Sequence, residues 1–132
     1  MNKLVFLLVL LLGFSAQAKT TTVETLVKCQ QDDGDQWIEV GIGLNDGPGL
    51  RAYVVAHNDD DLSAKLVTSV VVTKSNSNGE VVFQDKFGTI QLAVADRGTF
   101  LEGSFKLLQD GPNSIVQDNL KCYEKLPMSF EN

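Results

Sequence analysis

Two kinds of residue in this chain are placed to do chemistry: a pair of cysteines, and a set of aspartates that recurs wherever the chain reverses. Cys29 and Cys122 are the only cysteines. Each ends a short alternating segment, Leu26-Val27-Lys28-Cys29 and Leu120-Lys121-Cys122. A metal site needs more soft ligands than a chain with one histidine and no Cys-x-x-Cys can supply. The expected chemistry is therefore a disulfide that clasps the first strand to the last. In the chain-entropy view, closing a loop of about ninety residues stabilises the fold by roughly 4–5 kcal/mol.

The aspartates are Asp32, Asp33 and Asp35, then Asp59, Asp60 and Asp61, then Asp85 and Asp110. Carboxylates gathered at one end of a fold can hold a hard cation such as calcium, draw in a basic protein or peptide, or serve as an acid/base pair. They also serve turn geometry and solubility with no ligand at all. Neither aspartate run has EF-hand spacing, so no cofactor is implied beyond calcium as an open option. His57 adjoins the second run and is positioned to join Asp59 and Asp61 as a ligand, although a surface histidine at a strand end is the simpler reading. With both cysteines oxidised, a hydrolytic nucleophile would be serine or threonine with His57 as its base. No Gly-x-Ser-x-Gly stretch and no phosphate-cradling glycine loop is present. The reading is a protein that is not an enzyme.

The N-terminus sets the compartment. Lys3 precedes the apolar run Leu4 to Leu12, which is too short to span a bilayer, and Ala16-Gln17-Ala18 matches a small-x-small cleavage site. Residues 1–18 read as a signal peptide and 19–132 as a single exported β domain, periplasmic or secreted. Without Lys3, ten basic residues face seventeen acidic ones, a formal charge of −7. Such a chain lacks the basic patch that nucleic-acid binding requires. Nothing after the signal is apolar enough for a membrane helix, and the short strands lack the aromatic girdles of an outer-membrane barrel. No membrane insertion is expected.

The elements that position these residues follow from period-two alternation and turn chemistry. Thr20–Gln30 places Val23, Val27 and Cys29 on one face. Trp37–Leu44 places Ile38, Val40, Ile42 and Leu44 on its apolar face, and Gly41 and Gly43 opposite mark a bend or a close backbone approach. Leu50–His57 has two competing faces. If its alanines point inward, Tyr53 and Val55 join Val67 and Val71 as an outer apolar patch. Leu62–Lys74 follows, and Val70-Val71-Val72 implies cover on both sides. A long loop over residues 75–80 leads to Val81–Lys86. Three more strands follow: Ile90–Ala95, Thr99–Leu108 and Ile115–Tyr123, the last with a bulge at Asp118-Asn119. The tail from Lys125 to Asn132 frays, with Pro127 ending the pairing.

About eight short strands with no useful helical period argue for an all-β fold. The expectation is an antiparallel up-and-down meander closed into a small barrel, with a β-sandwich as the alternative. Ile38, Val40, Ile42, Leu92, Val94, Leu101, Phe105 and Leu120 are its expected core. In a meander alternate loops share an end, so the aspartates converge into an acidic rim. The other end, with Asp46, Lys74, Glu80, Asp96 and Arg97, is nearly balanced. Trp37 begins its strand beside the rim and is expected to pack as an end plug rather than serve as a binding platform.

In size, export, cysteine placement and acidity the chain resembles the periplasmic lysozyme inhibitors, small barrels that engage a cationic enzyme. It lacks the Ser-Gly-x-x-Tyr type loop of that family, so the resemblance assigns no residue and no membership. The expected function is an exported binding module with the acidic end as its contact surface. The alternative is a small carrier of an apolar ligand in a barrel cavity.

Overall fold

The computed structural model describes residues 19–31, 34–44, 49–109 and 114–131. The expected signal segment and the rim residues Asp32, Asp33 and Asp110 lie outside the described residues. No helix occurs among the described residues, and none is long and apolar enough to cross a membrane. The strands are β1 (Thr20–Gln30), β2 (Gln36–Leu44), β3 (Leu50–Asn58), β4 (Ser63–Ser77), β5 (Glu80–Gln84), β6 (Ile90–Asp96), β7 (Leu101–Leu107), β8 (Ile115–Glu124) and β9 (Pro127–Glu131).

Each strand from β1 to β8 pairs antiparallel with the next in sequence, and β8 returns to β1. The ring is closed, as the alternation implies, and a sandwich is not formed. Its seam is short. Val27 to Gln30 pair with Lys121 to Glu124, and Cys29 sits directly opposite Cys122. The two are bonded, with Cα atoms 4.0 Å apart. The bridge faces the interior, where a side chain on Gly103 would strike the sulfurs at 2.7 and 2.9 Å. A disulfide of this kind fits an oxidising environment.

The interior is filled by alternate residues of β1 to β8, among them Val40, Ile42, Val54, Leu92, Phe105 and Leu120. Ile38 and Leu101 pack against it while partly exposed. The turn at Asn78-Gly79 is tighter than the expected long loop. Both residues have positive φ, 52° and 81°, the geometry of a two-residue hairpin. Between β7 and β8 the register jumps opposite Asp118-Asn119, and Asn119 has φ 59°, which is the expected bulge.

The tail does not fray. Pro127 starts β9, and Met128 and Phe130 are buried. Proline is tolerated there because the first residue of a strand can do without an N–H. The first half of β1, Thr20 to Glu24, pairs with β9, while its second half belongs to the barrel. β9 in turn meets β4 at Lys65↔Glu131. The pairings β1–β2–β3–β4–β9 thus close a second, smaller ring around Met128, Phe130, Val55, Val23, Tyr53 and Leu66.

β2 and β3 form the wall common to both cores, which resolves the two faces of β3. Ala52 and Val54 point into the barrel, and Tyr53 and Val55 into the smaller core. The glycines of β2 make the close approach possible. A Cβ on Gly41 would meet Met128 Sδ at 2.5 Å, and one on Gly43 would meet the Glu24 carbonyl oxygen at 2.9 Å. The expected outer patch is accordingly halved, since β9 covers Tyr53 and Val55 while Val67 and Val71 stay 44% and 50% exposed. Val70-Val71-Val72 is not covered on both sides.

Candidate functional site

Alternation puts the β1–β2, β3–β4, β5–β6 and β7–β8 connections at one end of the barrel. There the register sets Trp37 on β2 directly across from His57 on β3. Their rings stack in parallel, with centroids 3.8 Å apart and planes within 2°. Trp37 Nε1 donates to Asp59 Oδ1 at 3.1 Å, and His57 Nε2 lies 3.2 Å from Glu39 Oε1. The indole and imidazole are therefore each held by a carboxylate.

Glu39 is 3% exposed, with the side chains of Lys28 on β1 and His57 on β3 against its carboxylate. An unpaired carboxylate there would be costly, and burial is tolerated only with partners. Lys28 Nζ supplies a cation 3.0 Å from Glu39 Oε2 and also donates to the Pro127 carbonyl at 3.3 Å. One buried acid thus ties together β1, β2, β3 and the start of β9.

The rim is assembled around this pair. The Asp59 amide donates to the Asp35 carbonyl at 2.8 Å, which joins the first and third connections. Asp60 is held through its amide by Asn58 Oδ1, and Asp61 Oδ1 accepts from the Ser63 amide, both at 3.0 Å. Hydrogen bonding from Ser63 holds the Asp61 carboxyl below its usual range, with Lys65 adding to the effect and desolvation opposing it. Leu62, between Asp61 and Ser63, has φ 56° and is 86% exposed. The left-handed region is sterically poor for a leucine, so the turn projects an apolar side chain at some cost.

Beside the rim the barrel mouth forms a cleft of about 540 Å³ with Trp37, Ile38, Ala56, His57, Asp61 and Lys65 in its walls. Gln31 braces it by donating to Gln117 Oε1 at 2.8 Å and accepting from the Ile38 amide at 3.0 Å.

Of the sequence-derived rim, Asp35, Asp59, Asp60 and Asp61 stand together and exposed at this end. Asp85 does not belong to it. Its carboxylate is buried and caps its own turn, accepting from Thr89 Oγ1 and the Ile90 amide. Burial pushes the Asp85 carboxyl up, but those hydrogen bonds together outweigh it and leave it below the usual range. Among the described residues no three His, Cys, Asp or Glu side chains are grouped to hold a metal. His57 faces Glu39 and Trp37 rather than Asp61.

Comparison with family models, curated proteins and solved structures found no match for this chain. The site is therefore read from its own geometry. Sequence reasoning missed Glu39 and Lys28, whose roles depend on strands distant in sequence. The only local signal was a glutamate flanked by Trp37 and Gly41 on the face of β2 opposite its apolar one.

Proposed function

We propose that this chain is an exported, non-enzymatic binding module that meets a basic protein or peptide through the barrel end bearing Asp35 and Asp59 to Asp61. The observation that carries the reading is the Trp37–His57 stack fixed next to those carboxylates. A rigid tryptophan beside a polar rim is the kind of anchor that dominates interface energetics, and surface carboxylates steer a cationic partner toward it. Leu62 adds a projecting apolar contact. The packed interior favours binding at this surface over carriage of an apolar ligand in the lumen.

Trp37 is the sole tryptophan, so its fluorescence reports on this end directly. Titration with poly-lysine or poly-arginine should shift the emission, and binding should weaken about tenfold between roughly 20 and 200 mM salt. Asp59→Asn with Asp60→Asn and Asp61→Asn should abolish it. Binding that ignores both salt and the triple variant would sink the proposal. A rise in melting temperature with calcium, lost in the same variant, would instead assign the rim to a cation.

A further inference from the structure

A closed barrel should leave no backbone edge open, yet β4 has one. On one side β4 pairs with β3 along its length from Ser63 to Val72. On the other side it meets β9 only at Lys65 and β5 only from Thr73 to Ser77. Among the described residues nothing pairs with Leu66–Val72 on that second side. β5 is too short to do so, since it ends at Gln84 opposite Thr73, and the following turn is folded back on Asp85. A strand edge of this length is a template for another chain unless it is protected by charge, proline or a bulge.

Two protections are present. The Arg51 guanidinium on β3 donates to the Ser69 carbonyl at 3.2 Å and to its hydroxyl at 3.0 Å, so one charge already reaches the run. The register shift against Val54/Val55 makes a bulge at Leu66-Val67 and leaves Thr68–Val72 as the regular part of the run. No charged residue or proline occurs between Lys65 and Lys74. Val67 and Val71 are exposed, while Thr68, Ser69 and Val70 are half-buried.

We propose that this edge is a docking slot for an extended, uncharged segment of a partner protein, which enters the sheet as an extra strand between β9 and β5. The segment would form main-chain hydrogen bonds with β4 and set an apolar side chain beside Val71. Its chemistry follows from the slot: about five to seven residues without charge, since seven residues of strand span roughly 23 Å, flanked by acidic groups. Lys65 and Lys74 bracket the slot and favour carboxylates at both ends of the guest. The same lysines oppose a second copy of this chain, whose own β4 would bring two more. A second copy would also have to fit its β9 and β5 into the space already taken by their counterparts. This slot lies along the side of the barrel and shares Lys65 with the cleft at the acidic end.

The test uses the full mature protein and synthetic peptides with a Thr-Val-Thr-Val-Thr core, flanked by glutamate or by lysine. In the free protein, alternate amides of Thr68–Val72 should exchange hydrogen at the rate of unprotected chain. The glutamate-flanked peptide should protect those amides and bind several-fold more tightly than the lysine-flanked one. Methylating alternate backbone nitrogens of the peptide, in either register, should remove binding in one of the two forms with no change to the protein. Val71→Lys should weaken binding several-fold and leave the fold intact, because Val71 is an exposed position. Edge amides already protected in the free protein overturn the proposal, whether the protection comes from the chain itself or from a dimer seen by sedimentation. So does the absence of saturable binding at millimolar peptide, or binding that both methylated forms retain.

Discussion

Gly43→Ala should destabilise this protein, and in a plain barrel it would do the opposite. An outward glycine facing solvent gains about 0.4–1 kcal/mol on becoming alanine, because the unfolded chain loses freedom. Here the outward face of Gly43 is covered. A Cβ would stand 2.9 Å from the Glu24 carbonyl oxygen, 2.9 Å from Val23 Cγ1 and 3.3 Å from Tyr53 Cε2. One of the two nearest is backbone, so relief requires the first half of β1 to move. Overpacking of this kind costs about 1–3 kcal/mol, which at the middle of both ranges leaves a net loss of about 1.3 kcal/mol. Gly41→Ala is the internal control. Its Cβ would meet chiefly the Met128 thioether, a flexible group that can swing aside, so the net change should be close to zero. Urea unfolding followed by circular dichroism gives both values from the midpoints at constant slope. A melting scan should show the same order, at about 4–8 °C per kcal/mol for domains of 60–100 residues. A Gly43→Ala protein as stable as the parent, or more so, would refute the packing of β1 on the outer face of β2.

Phe130→Ala should cost about 3–5 kcal/mol by chemical denaturation, whereas Phe87→Ala, at a residue 77% exposed, should stay within about 0.5 kcal/mol. Reducing the Cys29–Cys122 bridge, whose cysteines are 93 residues apart, should remove roughly 4–5 kcal/mol, and an unchanged urea midpoint with reductant would show that pairing alone closes the seam. Asp85→Asn should destabilise at neutral pH. Because the native Asp85 carboxyl sits below its usual range, its stabilisation is complete above the unfolded value, about 3.9, and fades as pH falls through the native one. The gap between variant and parent should therefore narrow in acid, and a gap constant down to pH about 2 would show that the charge of Asp85 does not matter.

The barrel was legible because its strands are half-buried. Alternation in Ile38, Val40 and Ile42, or in Leu101, Gly103 and Phe105, reports one apolar face, and Asp or Gly at the reversals reports the turns. The disulfide was legible from compartment and count. The smaller core was not. Its members Val23, Tyr53, Val55, Met128 and Phe130 are scattered over three strands. Tyr53 and Val55 read as the competing face of β3, and Met128 and Phe130 as tail. Val23 reads as a face-mate of Val27 and Cys29, from which the irregularity between Thr25 and Val27 separates it. Gly41 and Gly43 did signal a close approach, but a glycine does not say what approaches. The rim was partly legible, since a turn aspartate looks the same whether it projects, as Asp59 does, or caps its own turn, as Asp85 does. Glu39 illustrates the limit. Its burial and its partners, Lys28 on β1 and His57 on β3, come from strands that only the fold brings beside it.

Both rings are closed by β1, and this bears on how the chain reaches its native state. The β2–β3–β4 wall is made of hairpins whose partners are close in sequence, so it can form early. The second half of β1 can pair with β2, but its first half must wait for β9 and the seam for β8, about a hundred residues later, and such distant closure is slow to search. Synthesis delivers β1 first and β9 last, so Val23 and the threonines of its first half stay unpaired for the whole of that interval. A holding factor would find its longest-lived target there. Oxidation is spared the usual hazard, because with two cysteines in the chain no wrong intramolecular pairing exists, and the bridge can form as a single late event that records completion of the fold.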